Sequence, residues 1–320
     1  MFLNILLLII GFIILIKGAD VFVDGASSTA QNFRVSKMLI GLTIIAFGTS
    51  APELAVSISA LASGSTDMVL GNVIGSCILN ILLILGIAAV IKPIKIKANT
   101  VKKELPMCML ISTLLAVLFL DSTLADGGQD QFSRADAIVV LLFFSVFLYY
   151  LITLAKHHKE NREKDEKPKY KLSKSVLYVA LGLAGIVLGS EMVVQNSTSI
   201  ATAIGWSERL ISLTIIAFGT SLPELVTTIV AARRGEQDLV VGNIIGSNIF
   251  NICVVLGIPV VIFGTITPAS FQMLDIVMLV ASSVVLFVFA LTRHKISRAE
   301  GAIMLVAFVA YYAAIVMLPA

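Results

Sequence analysis

The sequence predicts an all-α polytopic membrane protein with ten transmembrane helices, arranged as two inverted-topology repeats of five helices each. Three observations predict this class. The 320 residues are 58% hydrophobic and 13% charged, with a mean hydropathy of +0.99, far more apolar than a soluble domain. The apolar residues form ten stretches of roughly the length, about 20 residues, that crosses a bilayer. A long segment also occurs twice, which indicates an internal duplication.

The apolar stretches place the helices in order along the chain. In the first half they cover 3–28, 38–62, 67–91, 104–120 and 135–156. In the second half they cover 175–202, 209–232, 238–263, 272–292 and 299–318. No basic residues precede the first stretch, and it is longer than the apolar part of a signal peptide, so we interpret it as a retained helix.

A charged segment separates the two repeats. Residues 161–174 are rich in charged residues and poor in apolar ones, as is typical of an aqueous linker. We therefore predict a first repeat at 1–160 with its core block at 38–91, and a second at 175–320 with its core block at 209–263. Because five is an odd number, the second repeat enters the membrane from the opposite side. Inverted repeats place a substrate site near mid-membrane, where the repeats meet.

The distribution of basic residues predicts which loops are cytoplasmic. Lysine and arginine in short loops favour the cytoplasmic side, and alternate loops hold 20 of the 23 lysines and arginines. The loop at 156–174 is one of them. We therefore expect this loop in the cytoplasm and both termini outside, in a protein of the cell membrane (plasma or inner). Its basic charge is explained by topology, so the lipid bilayer is an expected partner and nucleic acid is not.

A segment of thirteen residues places a carboxylate inside an apolar span in each half. Leu42–Leu54 recurs at Leu213–Leu225 with one substitution, and the two copies contain Glu53 and Glu224. A charged side chain at mid-membrane costs on the order of 3 kcal/mol, and neither thirteen-residue copy contains lysine or arginine. A bound cation would compensate the charge. The structural alternative is a carboxyl that is protonated or hydrogen-bonded to a neighbouring helix.

Further oxygen donors surround each glutamate in the sequence. Thr49 and Ser50 precede Glu53 by four and three residues, and on a continuous helix these positions share one face. Thr220 and Ser221 occupy the equivalent places in the second copy. Carboxylate and hydroxyl oxygens are hard ligands that suit calcium or sodium better than zinc or copper.

A glycine and a proline flank the hydroxyls of each copy. Gly48 and Pro52, with Gly219 and Pro223 in the second copy, favour irregular backbone at these positions. Carbonyl groups that lose their helical partner there can become ion ligands.

A second repeated block follows each glutamate. Gly71–Asn80 matches Gly242–Asn251 at the same offset. We favour its hydroxyl and amide residues, four apart in each copy, as site residues: Ser76, Asn80, Ser247 and Asn251. The glycines of the block, with Asn72 and Asn243, fit helix packing as well as they fit a site.

Other acids are interpreted as structural. Asp20 and Glu191 lie at equivalent places near the end of the first helix of each repeat, and Lys17 three residues before Asp20 suits a local ion pair or an interfacial position. Glu104 and Asp275 begin helices, where the helix dipole favours a negative charge. The remaining acids belong to an outside loop and are expected to be solvated: Asp121, Asp126, Asp130 and Asp136.

The sequence excludes several classes of function. The spans contain no Ser/His pair, no paired aspartates and no histidine-zinc pattern, so we expect no enzyme. Three cysteines in apolar spans form no Cys-x-x-Cys pattern, and no prosthetic group is expected. A passive cation channel lacks an obvious filter motif. A monomer fits the sequence, which does not specify an oligomeric state.

The two blocks resemble the α-repeats of sodium/calcium exchangers. GTSAPE at 48–53 and GNVIGSCILN at 71–80, with their second copies, carry the resemblance across both repeats. It implies an alternating-access antiporter, resembling the compact prokaryotic members, in which sodium entry expels calcium. The resemblance places Glu53, Glu224, Thr49 and Thr220 around calcium. It assigns sodium to Ser50, Ser76, Ser221 and Ser247 with the backbone carbonyls of Ala46 and Ala217, and lines the central position with Asn80 and Asn251.

One residue departs from the pattern that the resemblance implies. Asn251 stands where the archaeal exchanger pattern has aspartate, which leaves two carboxylates at the centre instead of three. Aspartate there also accompanies potassium dependence, so we expect exchange that is electrogenic and independent of potassium. The alternative in the same superfamily is a proton/calcium antiporter, which usually has Gly-Asn-Ala where this chain has Gly-Thr-Ser.

Two helices without predicted site residues are candidates for the moving part. The first and sixth spans are long, equivalent and rich in glycine. We hypothesise that they slide together across the rest of the protein and expose the ions to each side in turn.

Overall fold

The structure is a computed structural model that describes residues 2–120, 130–160, 168–205, 217–267 and 273–317. Almost all of these residues are helical, which confirms the predicted all-helical class. In the described ranges, seven helices are long and apolar enough to cross a membrane, or eight if one bent pair counts as a single span. The chain is therefore a multi-pass membrane protein.

Two of the ten predicted spans are not among these eight. Glu104–Phe119 is helical but has 16 residues, which extend about 24 Å and fall short of the hydrocarbon core of about 30 Å. The predicted span 209–232 begins outside the described residues, and its described part is Ala217–Gly219 and Leu222–Arg234. The other eight predicted spans coincide with described helices or with the bent pair.

The helices and strands of the second half follow one another in nearly the same order as those of the first half. The first half contains α1 (Phe2–Phe33), α2 (Lys37–Ile40), α3 (Ala46–Thr49), α4 (Ala51–Ala62), α5 (Thr66–Ile78), α6 (Gly86–Ile91), β1 (Ile94–Lys95), α7 (Ala98–Lys102), α8 (Glu104–Phe119) and α9 (Arg134–Glu160). The second half contains α10 (Leu172–Ala203), α11 (Ala217–Gly219), α12 (Leu222–Arg234), α13 (Gln237–Phe250), α14 (Gly257–Phe263), α15 (Met273–Arg293), β2 (Lys295–Ile296) and α16 (Arg298–Met317).

Within the described ranges, three π-helical segments join neighbouring helices without a loop. Gly41–Ile45 joins α2 to α3, Leu79–Leu85 joins α5 to α6, and Asn251–Leu256 joins α13 to α14. A π-helical turn shifts the backbone hydrogen bonds by one residue and is frequent at functional sites. All three segments overlap the repeated blocks.

The chain forms two compact units, and each takes residues from both halves of the sequence. Unit 1 comprises Met1–Pro52 and Ala155–Asn243, and unit 2 comprises Glu53–Leu154 and Ile244–Ala320.

In unit 1, α1 and α10 pack along each other with their backbones in direct contact. A Cβ atom added at Gly18 would lie 2.7 Å from the main-chain nitrogen of Ile186, and one added at Gly182 would lie 2.4 Å from that of Phe22. Gly25 faces Val179 in the same way, at 2.7 Å. Only glycine allows this separation, so the glycines of the first and sixth spans form a tight seam between two antiparallel helices.

α1 is longer than the apolar stretch that predicts it. The stretch ends at residue 28, whereas the helix continues to Phe33. Its polar last turn is held by unit 1: Ser175 donates to the hydroxyl of Ser28 at 2.9 Å, and Asn32 donates to the carbonyl of Tyr170 at 2.8 Å. These bonds stabilise residues that hydropathy alone excludes from a membrane helix.

The predicted local pair of Lys17 and Asp20 is not the arrangement that unit 1 adopts. Asp20 lies in the middle of α1, and Arg234 at the end of α12 donates to it at 2.7 Å. Arg234 also binds Asp24 at 2.5 Å, and Lys169 binds the second oxygen of Asp24 at 3.1 Å. The structural interpretation of Asp20 is retained, but with a partner distant in sequence, because α1 continues past it and brings Asp24 to the same arginine.

In unit 2, a pair of short strands joins equivalent parts of the two repeats. Two tyrosines each bind an acidic residue on the preceding long helix. β1 and β2 pair antiparallel, with Ile94 opposite Ile296. Strands of two residues have no recognisable alternation of apolar and polar positions, so the sequence does not predict them. Tyr150 donates to Glu104, and Tyr311 donates to Asp275 at 2.7 Å. The acid in the first turn of α8 is thus bound by a tyrosine of α9, and the acid in the first turn of α15 by a tyrosine of α16.

The acids of the predicted outside loop are only partly described. Asp121 and Asp126 lie outside the described residues. Asp136 accepts hydrogen bonds from the main-chain nitrogen and the hydroxyl of Ser133, at 2.8 and 2.7 Å. It therefore caps the first turn of α9, where an acidic side chain is favourable.

Candidate functional site

The helix that carries the first glutamate is broken just before it. α3 ends at Thr49, Ser50 has φ −86° and ψ 7°, and α4 begins at Ala51. The two parts differ in direction by 43°. Pro52 lies in the first turn of α4, a position where proline is tolerated because its missing N–H would have no helical partner. The hydroxyls and Glu53 therefore do not share the face of one continuous helix, and this part of the prediction was wrong.

The second copy has the same break. Ser221 has φ −89° and ψ 4°, α12 begins at Leu222, and Pro223 lies in its first turn. Glu224 is in the first turn of α12, as Glu53 is in the first turn of α4. The amino-terminal end of a helix favours negative charge. The repeated segment thus places each glutamate at a helix start inside an apolar region.

In unit 1, Ser50 and Glu224 are brought together although 174 residues separate them. The Ser50 hydroxyl donates to Oε1 of Glu224 at 2.8 Å. Glu224 is 1% exposed, and its Oε2 has no hydrogen-bond partner among the described residues. One oxygen of this carboxylate is therefore held in place while the other is available to a ligand.

Asn243 connects the hydroxyl of Thr49 with the helix of Glu224. Thr49 donates to the main-chain carbonyl of Ile45 at 3.0 Å and lies 3.3 Å from Oδ1 of Asn243. Nδ2 of Asn243 donates to Thr228 at 3.0 Å. The sequence left Asn243 open between packing and a site; in unit 1 it links the two polar segments. Thr228 was not considered from the sequence, although it lies one turn after Glu224.

In unit 2, Asn72 makes the corresponding links to the helix of Glu53. Nδ2 of Asn72 donates to the main-chain carbonyl of Glu53 at 3.0 Å and to the hydroxyl of Ser57 at 2.9 Å. Glu53 is fully buried. Ser57 and Thr228 are equivalent in the repeats, so each glutamate helix is tied to the following helix by an asparagine and a hydroxyl.

The glycines of the second block differ between the two copies in what they contact. A Cβ atom at Gly242 would lie 2.7 Å from the carbonyl of Met38 and 2.9 Å from Cα of Gly41, so Gly242 is a packing residue of unit 1. None of the described residues lies within 4 Å of such an atom at Gly71 or Gly75. Gly71 is the equivalent of Gly242 in the first repeat. The residue that would correspond to its contact Gly41 is residue 212, which lies outside the described ranges.

The serines and asparagines of the second block are all buried in unit 2. Ser76 and Ser247 are 4% and 0% exposed, and Asn80 and Asn251 are 1% and 0% exposed. Nδ2 of Asn80 donates to Oδ1 of Asn248 at 3.0 Å. Oδ1 of Asn80 and both amide atoms of Asn251 have no partner in the described part of the chain. Buried polar atoms are normally bonded, so these point to a ligand.

The remaining predicted site residues lie at the breaks themselves. Ser221 is buried and Thr220 is half-buried. The carbonyl of Ala46 accepts from the main-chain nitrogen of Ser50 at 3.0 Å, and the hydroxyl of Thr49 is 3.4 Å away, so it belongs to the last turn of α3. Ala217 begins α11, and its side chain is outside the described set.

The oxygen atoms gathered in each unit suit a hard cation. Each unit supplies one buried glutamate together with hydroxyl and amide oxygens, the ligands that calcium and sodium accept. Among the described residues, no group of three His, Cys, Asp or Glu side chains could hold a metal ion. Neutral hydroxyl and amide oxygens therefore make up most of the donor set described around each glutamate.

Comparison with known proteins identifies the family. The family model described as sodium/calcium exchanger protein matches residues 3–153 and 174–317. The inner membrane protein YrbG of Escherichia coli is 38% identical over 92% of this chain and 90% of its own, and the sodium/calcium exchanger MaX1 of Methanosarcina acetivorans is 32% identical over 96% and 97%. The Ca(2+)/H(+) antiporter ChaA of Bacillus subtilis is 28% identical over 89% and 85%.

A solved structure has the same fold. It is the sodium-calcium exchanger NCX_Mj soaked with 2.5 mM Na+ and 0.1 mM Ca2+, which matches with a TM-score of 0.83 and 34% identity over 99% of both chains. The family model covers both halves of this sequence, including both repeated blocks. The chain therefore belongs to the sodium/calcium exchanger protein family.

Proposed function

We propose that this protein exchanges sodium for calcium across the cell membrane by alternating access. The observation that carries the proposal is the duplicated break, which places one buried glutamate at a helix start in each repeat, next to hydroxyl groups and within a thirteen-residue segment that has no lysine or arginine. Membership of the exchanger family and the likeness to NCX_Mj support calcium and sodium as the cations.

The charges of the two glutamates explain why the ions would take turns. Glu53 and Glu224 together carry two negative charges, which one calcium ion or two sodium ions neutralise. Both kinds of ion use the same carboxylates, so each displaces the other, as antiport requires. If a third sodium ion takes part, one net charge crosses per cycle, and the membrane potential contributes about 2.3 kcal/mol per 100 mV.

The site residues divide by ligand chemistry. We assign calcium to the carboxylates and threonines and sodium to the serines and backbone carbonyls, with the asparagines lining the central position. The calcium ligands are Glu53, Glu224, Thr49 and Thr220. The sodium ligands are Ser50, Ser76, Ser221, Ser247 and the carbonyls of Ala46 and Ala217, and the asparagines are Asn80 and Asn251. Asn251 adds no charge, which is why we propose that potassium is not needed.

The helix pair α1 and α10 is our candidate for the moving element. Neither helix contains a proposed ligand, and the glycine seam lets the two helices move as one body. We place the 156–174 loop in the cytoplasm and both termini outside, following the basic residues.

Reconstitution into liposomes tests the proposed function. We expect an imposed sodium gradient, high inside, to drive calcium accumulation, and a matched pH gradient at zero sodium to drive none. When potassium replaces the other monovalent cation outside the liposomes, the rate of sodium-driven calcium uptake should not change. Uptake driven only by the pH gradient would establish proton coupling instead, and calcium equilibration without any opposing gradient would identify a channel.

A further inference from the structure

We propose that Asn248 is a positioning residue of the cation site, which fixes the amide of Asn80 so that its oxygen and not its nitrogen is available to the transported ion. The inference rests on the proposed function and adds a residue to it. Asn248 was not among the residues predicted from the sequence.

The three groups involved are buried in unit 2 and connected by hydrogen bonds. Asn80 is 1% exposed, and Asn248 and Cys77 are fully buried. Nδ2 of Asn80 donates to Oδ1 of Asn248 at 3.0 Å, and Nδ2 of Asn248 donates to the main-chain carbonyl of Cys77 at 3.3 Å. The thiol of Cys77 in turn lies 3.8 Å from the main-chain carbonyl of Asn248. These contacts between Cys77 and Asn248 join α5 to α13.

The carbonyl of Cys77 determines the orientation of both amides. A main-chain carbonyl can only accept, so the nitrogen of Asn248 must face it. The oxygen of Asn248 then faces Asn80, which must present its own nitrogen to that oxygen. The oxygen of Asn80 is left on the opposite side, where the described residues offer it no partner.

The amide of Asn80 could present either its oxygen or its nitrogen to the site, and a cation distinguishes between these two orientations. An amide oxygen coordinates calcium or sodium, whereas an amide NH2 group is a donor with a positive edge and repels them. Water alone would not hold the amide in one orientation, because both ends of an amide can bond to water. Asn248 therefore removes the unproductive orientation before the ion arrives, which lowers the cost of binding.

Asn251, the equivalent of Asn80 in the second repeat, is not oriented in this way. The residue equivalent to Asn248 in the first repeat is Cys77, whose thiol is only a weak donor and a weak acceptor and therefore orients an amide less firmly than a carboxamide does. Asn251, the equivalent of Asn80, has neither amide atom bonded within the described residues. The two central asparagines thus differ: Asn80 is a fixed oxygen donor, and Asn251 is free to turn with the ion that occupies the site.

The test is a double-mutant cycle on calcium binding by the purified protein, measured with radioactive calcium at equilibrium. Asn248→Ala should weaken binding about tenfold, the upper end of what one hydrogen bond between neutral groups contributes. Asn80→Asp removes the need for orientation because a carboxylate has oxygen at both ends, but the oxygen of Asn248 then repels it. In the Asn80→Asp background, Asn248→Ala should therefore leave calcium affinity unchanged or raise it.

The cycle separates positioning from a purely structural role. A structural contribution of Asn248 predicts the same loss in both backgrounds, and either that result or wild-type affinity in Asn248→Ala would overturn the inference. Thermal unfolding without calcium checks that the variants fold; if Asn248→Ala does not, recovery of folding and binding in Asn80→Asp/Asn248→Ala supports the inference, and its absence overturns it. Failure of the unmodified protein to bind calcium would instead count against the proposed function.

Discussion

Glu224→Gln is expected to abolish sodium-driven calcium uptake and to weaken calcium binding at least a hundredfold. The glutamine keeps the size of the side chain and can still accept the hydrogen bond from Ser50, but it removes one negative charge. A unit charge 4 Å from another contributes about 4 kcal/mol at an effective dielectric constant of about 20, and calcium carries two. A hundredfold loss in affinity corresponds to about 2.8 kcal/mol, which is less than the value for a single unit charge, so it is a conservative expectation.

Glu53→Gln should have the same effect, because the two glutamates occupy equivalent positions in the repeats. Glu104→Gln is the matched control: Glu104 is also a buried carboxyl, 3% exposed, but it is bound by Tyr150 and lies outside the proposed site. Calcium binding and uptake should be retained in this control. Equal losses in all three variants would mean that buried negative charge in general, and not these two glutamates, governs binding.

Gly182→Val is expected to slow transport at least tenfold while calcium binding is retained. The first side-chain carbon would lie 2.4 Å from the main-chain nitrogen and 2.6 Å from Cα of Phe22, so α1 and α10 must separate. Overpacking of this kind costs about 1–3 kcal/mol. No proposed ligand lies on either helix, so the effect should fall on movement of the pair and not on the ions. Uptake into liposomes and equilibrium binding on the same preparation measure the two quantities.

Ala184→Val is the control for that prediction. Ala184 is on the exposed side of the same helix, so the added carbons should leave both transport and binding unchanged. If Gly182→Val does not fold, Gly182→Ala applies a smaller version of the same displacement. Full transport with valine or alanine at 182 would contradict the proposal that the tightly packed pair is the moving element.

The repeated blocks allowed much of the site to be predicted because they carry rare residues at fixed spacing. Glu53 and Glu224 stand out as acids in apolar spans, and the span limits themselves were close: 238–263 was predicted and Gln237–Phe263 is helical. The sodium and calcium assignments came from resemblance, and which residues bind which ion remains a proposal.

The features that the sequence did not reveal depend on contacts between distant residues. α1 continues to Phe33 because Tyr170 and Ser175 bind its polar last turn, whereas hydropathy ends the span earlier. The helix ends at Thr49 and a new one begins at Ala51, a break that regular spacing along one helix does not predict. The π-helical segments leave no mark in the pattern of apolar residues.

Asn248 was missed for a different reason. The predicted site residues are identical or similar in the two repeats, whereas the equivalent of Asn248 is Cys77. A residue that orients a ligand on one side only breaks the repeat symmetry. The buried amide next to the glycine-serine pair was visible in the sequence, but its hydrogen bonds to Asn80 and Cys77 required the packing of α5 against α13.

The central claim is that one pair of carboxylates binds calcium and sodium in turn, and equilibrium calcium binding to the purified protein at increasing sodium tests it most directly. Sodium should displace calcium completely and competitively, with a steeper than first-order dependence on sodium, while choline at the same ionic strength should not. The half-saturating sodium concentration should rise as calcium is raised. Calcium binding that sodium leaves unchanged, or that only protons displace, would contradict the account.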